Sequence, residues 1–198
     1  LDKGAEMFNW EERKQRSGQR RGNKITGVAV ATGSYTAGSI GVDGLCVLKP
    51  DGKLYIHQGI GNLGTHSVID TARVIAEQVD MPWEKCVVVW GNTGNHVAWS
   101  SVQAGSQTTY AHSRANYAAG QALKRNLQEL AAAELGGSPD DYDVGNERVF
   151  RKGNPGRAIP FAKAAELAIK RGGQFDGHEV PKELNGMTKA SAAGLAGL

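Results

Sequence analysis

The sequence predicts an α+β fold in which helices pack against a mixed sheet. Short apolar runs bounded by turn residues, at 45–48 and 54–57, have the length and flanks of strands. Longer stretches with apolar residues at helical spacing follow, and they end at proline or at paired glycines. With 198 residues and 40% apolar content, the chain can bury a sizeable core.

The first predicted elements are strands. Residues 25–31 are apolar and small, and the runs 45–48 and 54–57 flank Lys49-Pro50-Asp51-Gly52-Lys53. A Pro-Asp-Gly sequence predicts a hairpin turn, because Pro fixes φ, Asp bonds to nearby backbone and Gly accepts positive φ. The second hairpin strand then enters a glycine loop, Gln58-Gly59-Ile60-Gly61-Asn62-Leu63-Gly64-Thr65-His66.

The later elements are predicted from periodicity. Apolar residues at 68, 72, 75 and 79 predict a helix over 67–80 that ends before Met81-Pro82. The remaining predictions, in chain order, are a buried strand at 85–90, an irregular stretch at 91–96, a second polar loop at 103–109, a long alanine-rich helix from about 115 to 135, a loop at 138–146, a strand at 147–151, a turn at 152–156 and a last helix from 161 to Gly172-Gly173.

Both polar loops immediately precede helix-like stretches, which is the arrangement that offers backbone amides to an anion. Glycine allows close approach of a ligand, and a helix start presents unpaired N–H groups and the positive end of the dipole. A single Gly-rich turn before a helix is more often a plain connection. The second loop, Gln103-Ala104-Gly105-Ser106-Gln107-Thr108-Thr109, makes a pair, and the pair predicts a large phosphate-bearing ligand.

The commonest nucleotide sites do not fit. No Gly-Lys-Ser or Gly-Lys-Thr occurs, which disfavours ATP. Gly59, Gly61 and Gly64 have dinucleotide-fold spacing, but the candidate acid, Glu84, precedes the strand that starts near Cys86 instead of ending it. Ser106 lacks the Gly-x-Ser-x-Gly context of a nucleophile, so its hydroxyl is better suited to hydrogen bonding.

The histidines and cysteines do not form a metal-ligand pattern. No two histidines have i, i+3 or i, i+4 spacing, and no Cys-x-x-Cys pair exists. His66 is a candidate anion donor, with a structural role as the alternative, and His112 could line the same pocket. Cys46 and Cys86 lie in apolar runs and are predicted to be buried and reduced.

Three segments are expected: a basic N-terminal arm over 1–24, an α+β domain over 25–173, and an irregular tail over 174–198. The arm lacks interleaved aromatics, so we expect a solvated arm or a subunit contact and no nucleic-acid binding. No run reaches the length of a transmembrane segment. Because the chain has no initiating Met and ends in small apolar residues, we expect it to be cut from a longer protein.

The order of elements and loops resembles a known family. The elements occur in a fixed order: two strands, a glycine loop ending in Gly64-Thr65, a helix carrying Ala76-Glu77, a strand, Gly91-Asn92-Thr93, the Gln-Ala-Gly-Ser-x-Thr-Thr loop and an alanine-rich helix closed by Leu-Gly-Gly. This order is similar to that of the molybdopterin-binding subunit of the xanthine dehydrogenase and aldehyde oxidase family of molybdenum hydroxylases, including isoquinoline 1-oxidoreductase-like and aldehyde dehydrogenase-like members. The similarity runs from about Phe8 to about Leu167.

The resemblance implies a portion of a molybdenum cofactor-binding domain. It assigns the contacts with molybdopterin cytosine dinucleotide to two sets of residues, Gly61 with Asn62, and Ala104 with Gly105, Ser106 and Thr108. The pterin dithiolene would hold molybdenum, so no protein metal ligand is expected. The family has Gln-Gly where this chain has Asn62-Leu63, and the shorter Asn reaches less far. The family's catalytic glutamate follows a glycine near the subunit's end, and no Gly-Glu pair occurs here.

The implied parent enzyme hydroxylates an aldehyde or N-heteroaromatic substrate with oxygen from water. Its partners would be the rest of the subunit and an iron–sulfur subunit or domain, and the isolated chain would be inactive. With only two cysteines, a cytoplasmic location is expected, or a periplasmic one if a missing N-terminus carries a signal. Two alternatives stay open: a non-catalytic α/β module that binds a nucleotide-like anion or a protein, and a structural domain whose cofactor loops have decayed.

Overall fold

A computed structural model of the chain describes residues 1–35, 37–38 and 40–171. The chain divides into two compact units, Leu1–Tyr35 and the remainder. The first unit contains helices α1 (Asp2–Met7) and α2 (Trp10–Gln15) and a hairpin of β1 (Arg20–Arg21) and β2 (Lys24–Ile25). Neither helix has a buried residue. The domain boundaries predicted at residues 24 and 173 stay predictions, and the second falls outside the described residues.

The predicted strand over residues 25–31 is wrong for most of its length. Only Ile25 belongs to a strand, and residues 26–35 have no regular structure. Val30 shows why, because 62% of its surface is exposed. A run of small apolar residues gains little from strand formation when no neighbouring surface covers it.

The first sheet of the second unit has the order β3-β4-β5. Its members are β3 (Leu45–Leu48), β4 (Leu54–His57) and β5 (Cys86–Val89), with β4 antiparallel to β3 and parallel to β5. The predicted hairpin is confirmed, and in its turn Asp51 accepts a hydrogen bond from the Lys53 N–H at 3.0 Å. Helix α3 (Ser67–Gln78) connects the two parallel strands, as its periodicity predicts.

A second sheet follows helix α4 (Ser113–Leu135) and has the antiparallel order β6-β7-β8. Its strands are β6 (Tyr142–Gly145), β7 (Arg148–Arg151) and β8 (Asn154–Pro160). The predicted loop at 138–146 and turn at 152–156 miss β6 and the start of β8. Strand β8 contains Pro155 and Gly156, residues that a sheet tolerates at its edge, and β8 is an edge strand.

Helices α3, α4 and α5 (Phe161–Lys170) cover the sheets and enclose the apolar core. Close approach is built into α4, because a Cβ at Gly120 would lie 2.8 Å from the Gln78 Cβ. The alanine-rich sequence therefore allows α3 and α4 to pack backbone to backbone, as expected. The predicted stop at Gly172-Gly173 and the tail over 174–198 lie outside the described residues.

Both cysteines are partly buried and not fully buried as predicted, and the pKa values of both thiols are raised. The Cys46 thiol donates to the Ala119 carbonyl over 3.8 Å, and burial raises its pKa to about 12. Burial, with a smaller effect of Glu84, raises the pKa of Cys86 to about 11. Because the thiolate is the reactive species, the native protein should contain little reactive cysteine at pH 8.

We therefore expect both thiols to react with Ellman's reagent at pH 8 at least about tenfold more slowly in the native chain than in urea. The variants Cys46→Ser and Cys86→Ser assign each phase to one residue. Equal rates in native and unfolded protein would contradict the protection that burial gives.

Candidate functional site

Both polar loops follow parallel strands of the first sheet. Residue His57 of β4 pairs with Val89 of β5, and the Gln58 N–H extends this pairing with a 2.8 Å bond to the Val89 carbonyl. The loop at 58–66 continues directly from β4, and the loop at 103–109 lies on the segment after β5. The carboxyl ends of adjacent parallel strands are where open α/β sheets bind ligands, so topology explains why distant segments meet here.

The first loop is in close contact with the segment that leads to the second loop. A Cβ at Gly59 would lie 1.7 Å from the Ala98 carbonyl oxygen and 3.2 Å from the Ser100 Cβ. No real Cβ tolerates the first of these distances. Gly59 is therefore a packing requirement that fixes the separation of the two loops.

The Gln103 side chain joins the two loops. Its Oε1 accepts from the Gly61 N–H at 2.8 Å, and its Nε2 donates to the Gly61 carbonyl at 2.8 Å. The same Nε2 lies 3.3 Å from Thr108 Oγ1, to which it donates. One carboxamide thus holds both backbone polar groups of Gly61 in the first loop and a hydroxyl of the second.

A second glutamine attaches another segment to the site. Gln107 is buried, and its carboxamide accepts from the Ile40 N–H at 3.2 Å and donates to the Ile40 carbonyl at 2.7 Å. Its Nε2 also donates to Ser101 Oγ at 3.0 Å. The Gly38 N–H donates to the Gly105 carbonyl at 2.9 Å, so the backbone before β3 lies along the second loop.

The second loop enters its helix through unusual geometry. Ser106 has a left-handed backbone with φ of 58°, and residues Gln107–His112 form a π-helix that continues into α4. Single π-turns and left-handed non-glycine residues concentrate at functional sites. The periodicity of alanines predicts α4 but carries no signal for this widened first turn.

A buried polar cluster lies behind the loops. Asn116 Nδ2 donates to the Thr71 carbonyl at 2.8 Å and contacts Gln58 Oε1 at 3.5 Å. His112, one turn earlier on the same helical face, is 0% exposed, and burial lowers its pKa to about 4. His112 is thus fully buried, whereas His66, the histidine predicted to share a pocket with it, is exposed.

The chain matches one protein-family model over almost its whole length. The model is that of the molybdopterin cofactor-binding domain, and it matches residues 3–194. The chain belongs to this family. The predicted resemblance to a molybdenum hydroxylase large subunit and the predicted α+β class are confirmed.

The chain is also similar to curated proteins that are longer than it is. The chain is 26% identical over 140 residues to a putative xanthine dehydrogenase molybdenum-binding subunit of Escherichia coli K12, and it matches the xanthine dehydrogenase molybdenum-binding subunit of E. coli O157:H7 equally well. Each alignment covers 68% of this chain and 19% of the relative. The chain thus spans about a fifth of the length of these relatives.

Solved structures show the same fold at lower identity. Quinoline 2-oxidoreductase from Pseudomonas putida 86 aligns with 73% of this chain and 17% of its own, at a TM-score of 0.51 and 17% identity. Reconstituted CO dehydrogenase from Oligotropha carboxidovorans aligns with 68% of this chain and 18% of its own, at a TM-score of 0.57 and 19% identity.

The six residues assigned to the cofactor by resemblance are brought together in part. Gly61 and Thr108 are both hydrogen-bonded to the Gln103 carboxamide. Within the second loop, the Ala104 carbonyl accepts from the Gln107 N–H at 3.1 Å. Ala104 and Ser106 are exposed, whereas Gly105 and Thr108 are partly buried.

Asn62 stands apart from this connection. It is exposed, and its Oδ1 accepts from the Gly64 N–H at 2.9 Å, which closes a local turn. No described contact joins it to the second loop. From the sequence, no role was assigned to Gln103 or Gln107, although both lie in the loop over 103–109 and carry its largest polar side chains.

The described residues offer no protein-based metal site. No group of three or more His, Cys, Asp or Glu side chains in the described ranges could hold an ion. The loops over 58–66 and 103–109 contain neither acidic residues nor lysine. Peptide N–H groups, hydroxyls and the Asn62 carboxamide, without a competing carboxylate, form a suitable donor set for a pyrophosphate. Within the described part of the chain, no helix is long and apolar enough to cross a membrane.

Proposed function

We propose that the two loops hold the pyrophosphate of a molybdopterin dinucleotide cofactor within a molybdenum hydroxylase large subunit. The observation that carries the proposal is the connection of both loops, free of carboxylates, through Gln103 at the ends of parallel strands. Such an arrangement presents hydrogen-bond donors in fixed positions, which lowers the ordering cost of binding an anion.

The candidate residues have distinct roles in this proposal. Ser106 and Thr108 donate through their hydroxyls, and the backbone of Ala104 and Gly105 lies along the ligand. Gly61 permits close approach because it has no side chain, although its N–H is already bonded to Gln103. Asn62 shapes the first loop through its bond to the Gly64 N–H and can present its Nδ2 to the ligand.

In the complete enzyme, the bound cofactor would supply the molybdenum chemistry that transfers oxygen from water to an aldehyde or N-heteroaromatic carbon. This chain would bind and orient the cofactor without a catalytic residue of its own. The proposal also includes the cytosine form of the dinucleotide as the cofactor and a cytoplasmic location. The proposed partners are the remainder of the subunit and iron–sulfur centres on another domain or subunit. We expect the isolated chain to oxidise neither substrate class.

Titration of the full chain with inorganic pyrophosphate tests the proposed site. We expect NMR shifts confined to residues 61–66 and 103–109. The variant Ser106→Ala should weaken binding about tenfold, because it removes one charge-assisted hydrogen bond. Ser34→Ala, at an exposed position of the first unit, is the matched control and should bind normally. Shifts elsewhere, or none, would overturn the proposed site.

A further inference from the structure

The carboxamide of Gln103 makes three contacts at once. Oε1 accepts from the Gly61 N–H, while the hydrogens of Nε2 are directed at the Gly61 carbonyl and at Thr108 Oγ1. An amide nitrogen has two hydrogens, so this set uses both of its donors. The side chain is therefore held in one orientation, although it belongs to a loop.

These contacts indicate that Gln103 connects the two loops permanently and does not merely occupy the position of the ligand. A side chain that merely occupied an anion site would need the Gly61 N–H alone. Gln103 also donates to the Gly61 carbonyl, a group that an anion cannot use. Gln103 thus pairs with both the N–H and the carbonyl of Gly61, as a residue of a neighbouring β-strand would. This pairing links two residues that are 42 positions apart in the chain.

The third contact determines what Thr108 can do. Because Thr108 Oγ1 accepts a hydrogen from Gln103, its own hydroxyl hydrogen cannot point along that direction. The hydroxyl is left as a donor toward other groups. A donor with fewer accessible directions binds an anion more strongly than a freely rotating one, since less ordering is needed on binding.

We infer that Gln103 is a positioning residue that aligns Thr108 as a hydrogen-bond donor and fixes its distance from the first loop. This inference rests on the proposed function for the identity of the ligand, a pyrophosphate. Gln103 itself does not need to touch the ligand. Its contribution passes through Thr108, and that dependence separates it from a residue that only stabilises the fold.

A double-mutant cycle on the full chain, with inorganic pyrophosphate as the probe, measures this dependence. We expect Thr108→Val to weaken binding about tenfold in the wild-type background and less than about threefold in a Gln103→Met background. Methionine keeps the length of glutamine and removes its hydrogen bonds. Gln121→Met is the matched control, because Gln121 is exposed and donates to Gln78 Oε1 on α3. In this background, the effect of Thr108→Val should remain tenfold. Additive effects of Gln103→Met and Thr108→Val would overturn the inference.

Hydrogen exchange gives a readout that does not depend on the ligand. The Gly61 amide should exchange at least about tenfold faster in Gln103→Met than in the wild type, while the amides of α3 keep their protection. Unchanged Gly61 exchange would overturn the inference even if pyrophosphate binds. Absence of pyrophosphate binding to the wild type, with the Gly61 effect present, would instead refute the proposed ligand and leave the loop connection established.

Discussion

The variant Gly59→Ala should lose about 3 kcal/mol or more of unfolding free energy, and with it the geometry of the site. The added Cβ would lie 1.7 Å from the Ala98 carbonyl oxygen and 2.9 Å from its carbon. Both atoms belong to the backbone, so no side-chain rotation relieves the contact. The segment at 98–100 must move, and the second loop lies a few residues beyond it. Urea denaturation followed by circular dichroism measures the loss.

Gly156→Ala provides the control in the same unit. The nearest atom to its added Cβ is Asn154 Oδ1 at 3.6 Å, an ordinary contact, and the position lies on the edge strand β8. We expect its unfolding free energy to stay within about 0.5 kcal/mol of wild type. If Gly59→Ala were as stable as Gly156→Ala and bound pyrophosphate normally, the crossing of the two segments would not be a constraint on the site.

Local sequence signals were sufficient for elements whose stability is decided locally. The Pro-Asp-Gly turn predicts the hairpin of β3 and β4 because each of its residues favours the turn by itself. The periodicity of α3 predicts its buried face. The run of valines predicts strand β5, but its four residues are only partly buried, because β5 is an edge strand. The family resemblance added what these signals lack, since it concerns the order and spacing of the loops.

The features that the sequence did not predict depend on contacts between residues that are far apart in the chain. Gln103 and Gln107 look alike in the sequence, yet one pairs with the Gly61 backbone and the other with the Ile40 backbone. Their roles follow from the parallel pairing of β4 with β5, which places the two loops together. The same holds for β8, whose Pro and Gly predict a turn until the neighbouring strand is known.

The buried cluster behind the loops leads to the second large prediction, which concerns pH. Burial lowers the pKa of His112 from 6.5 to about 4. As pH falls, the unfolded chain therefore takes up this proton before the folded chain does. Stability from this group is complete above about pH 6.5 and is lost as pH falls toward 4, by up to about 3 kcal/mol. Burial also lowers the pKa of His57, which acts in the same direction.

His112→Phe should remove most of this dependence, because phenylalanine fills a similar volume and takes up no proton. Neither ring nitrogen of His112 has a hydrogen-bond partner among the described residues, so the substitution sacrifices no bond seen there. We expect the variant to be more stable than wild type at pH 4.5. Its smaller slope between pH 4 and 6.5 reflects His57 and the acidic groups whose pKa values the folded chain lowers, Asp51, Asp143 and Glu166.

Parallel stability curves for wild type and His112→Phe would show that His112 gains solvent or a partner before it is protonated. Since His112 ends the π-helix that begins at Gln107, the same comparison bears on the site. If acid acts through this residue, pyrophosphate binding by the wild type should weaken over the pH range in which stability falls, while binding by His112→Phe should weaken less. A buried histidine with no role in ligand contact would then limit the pH range in which the loops remain competent.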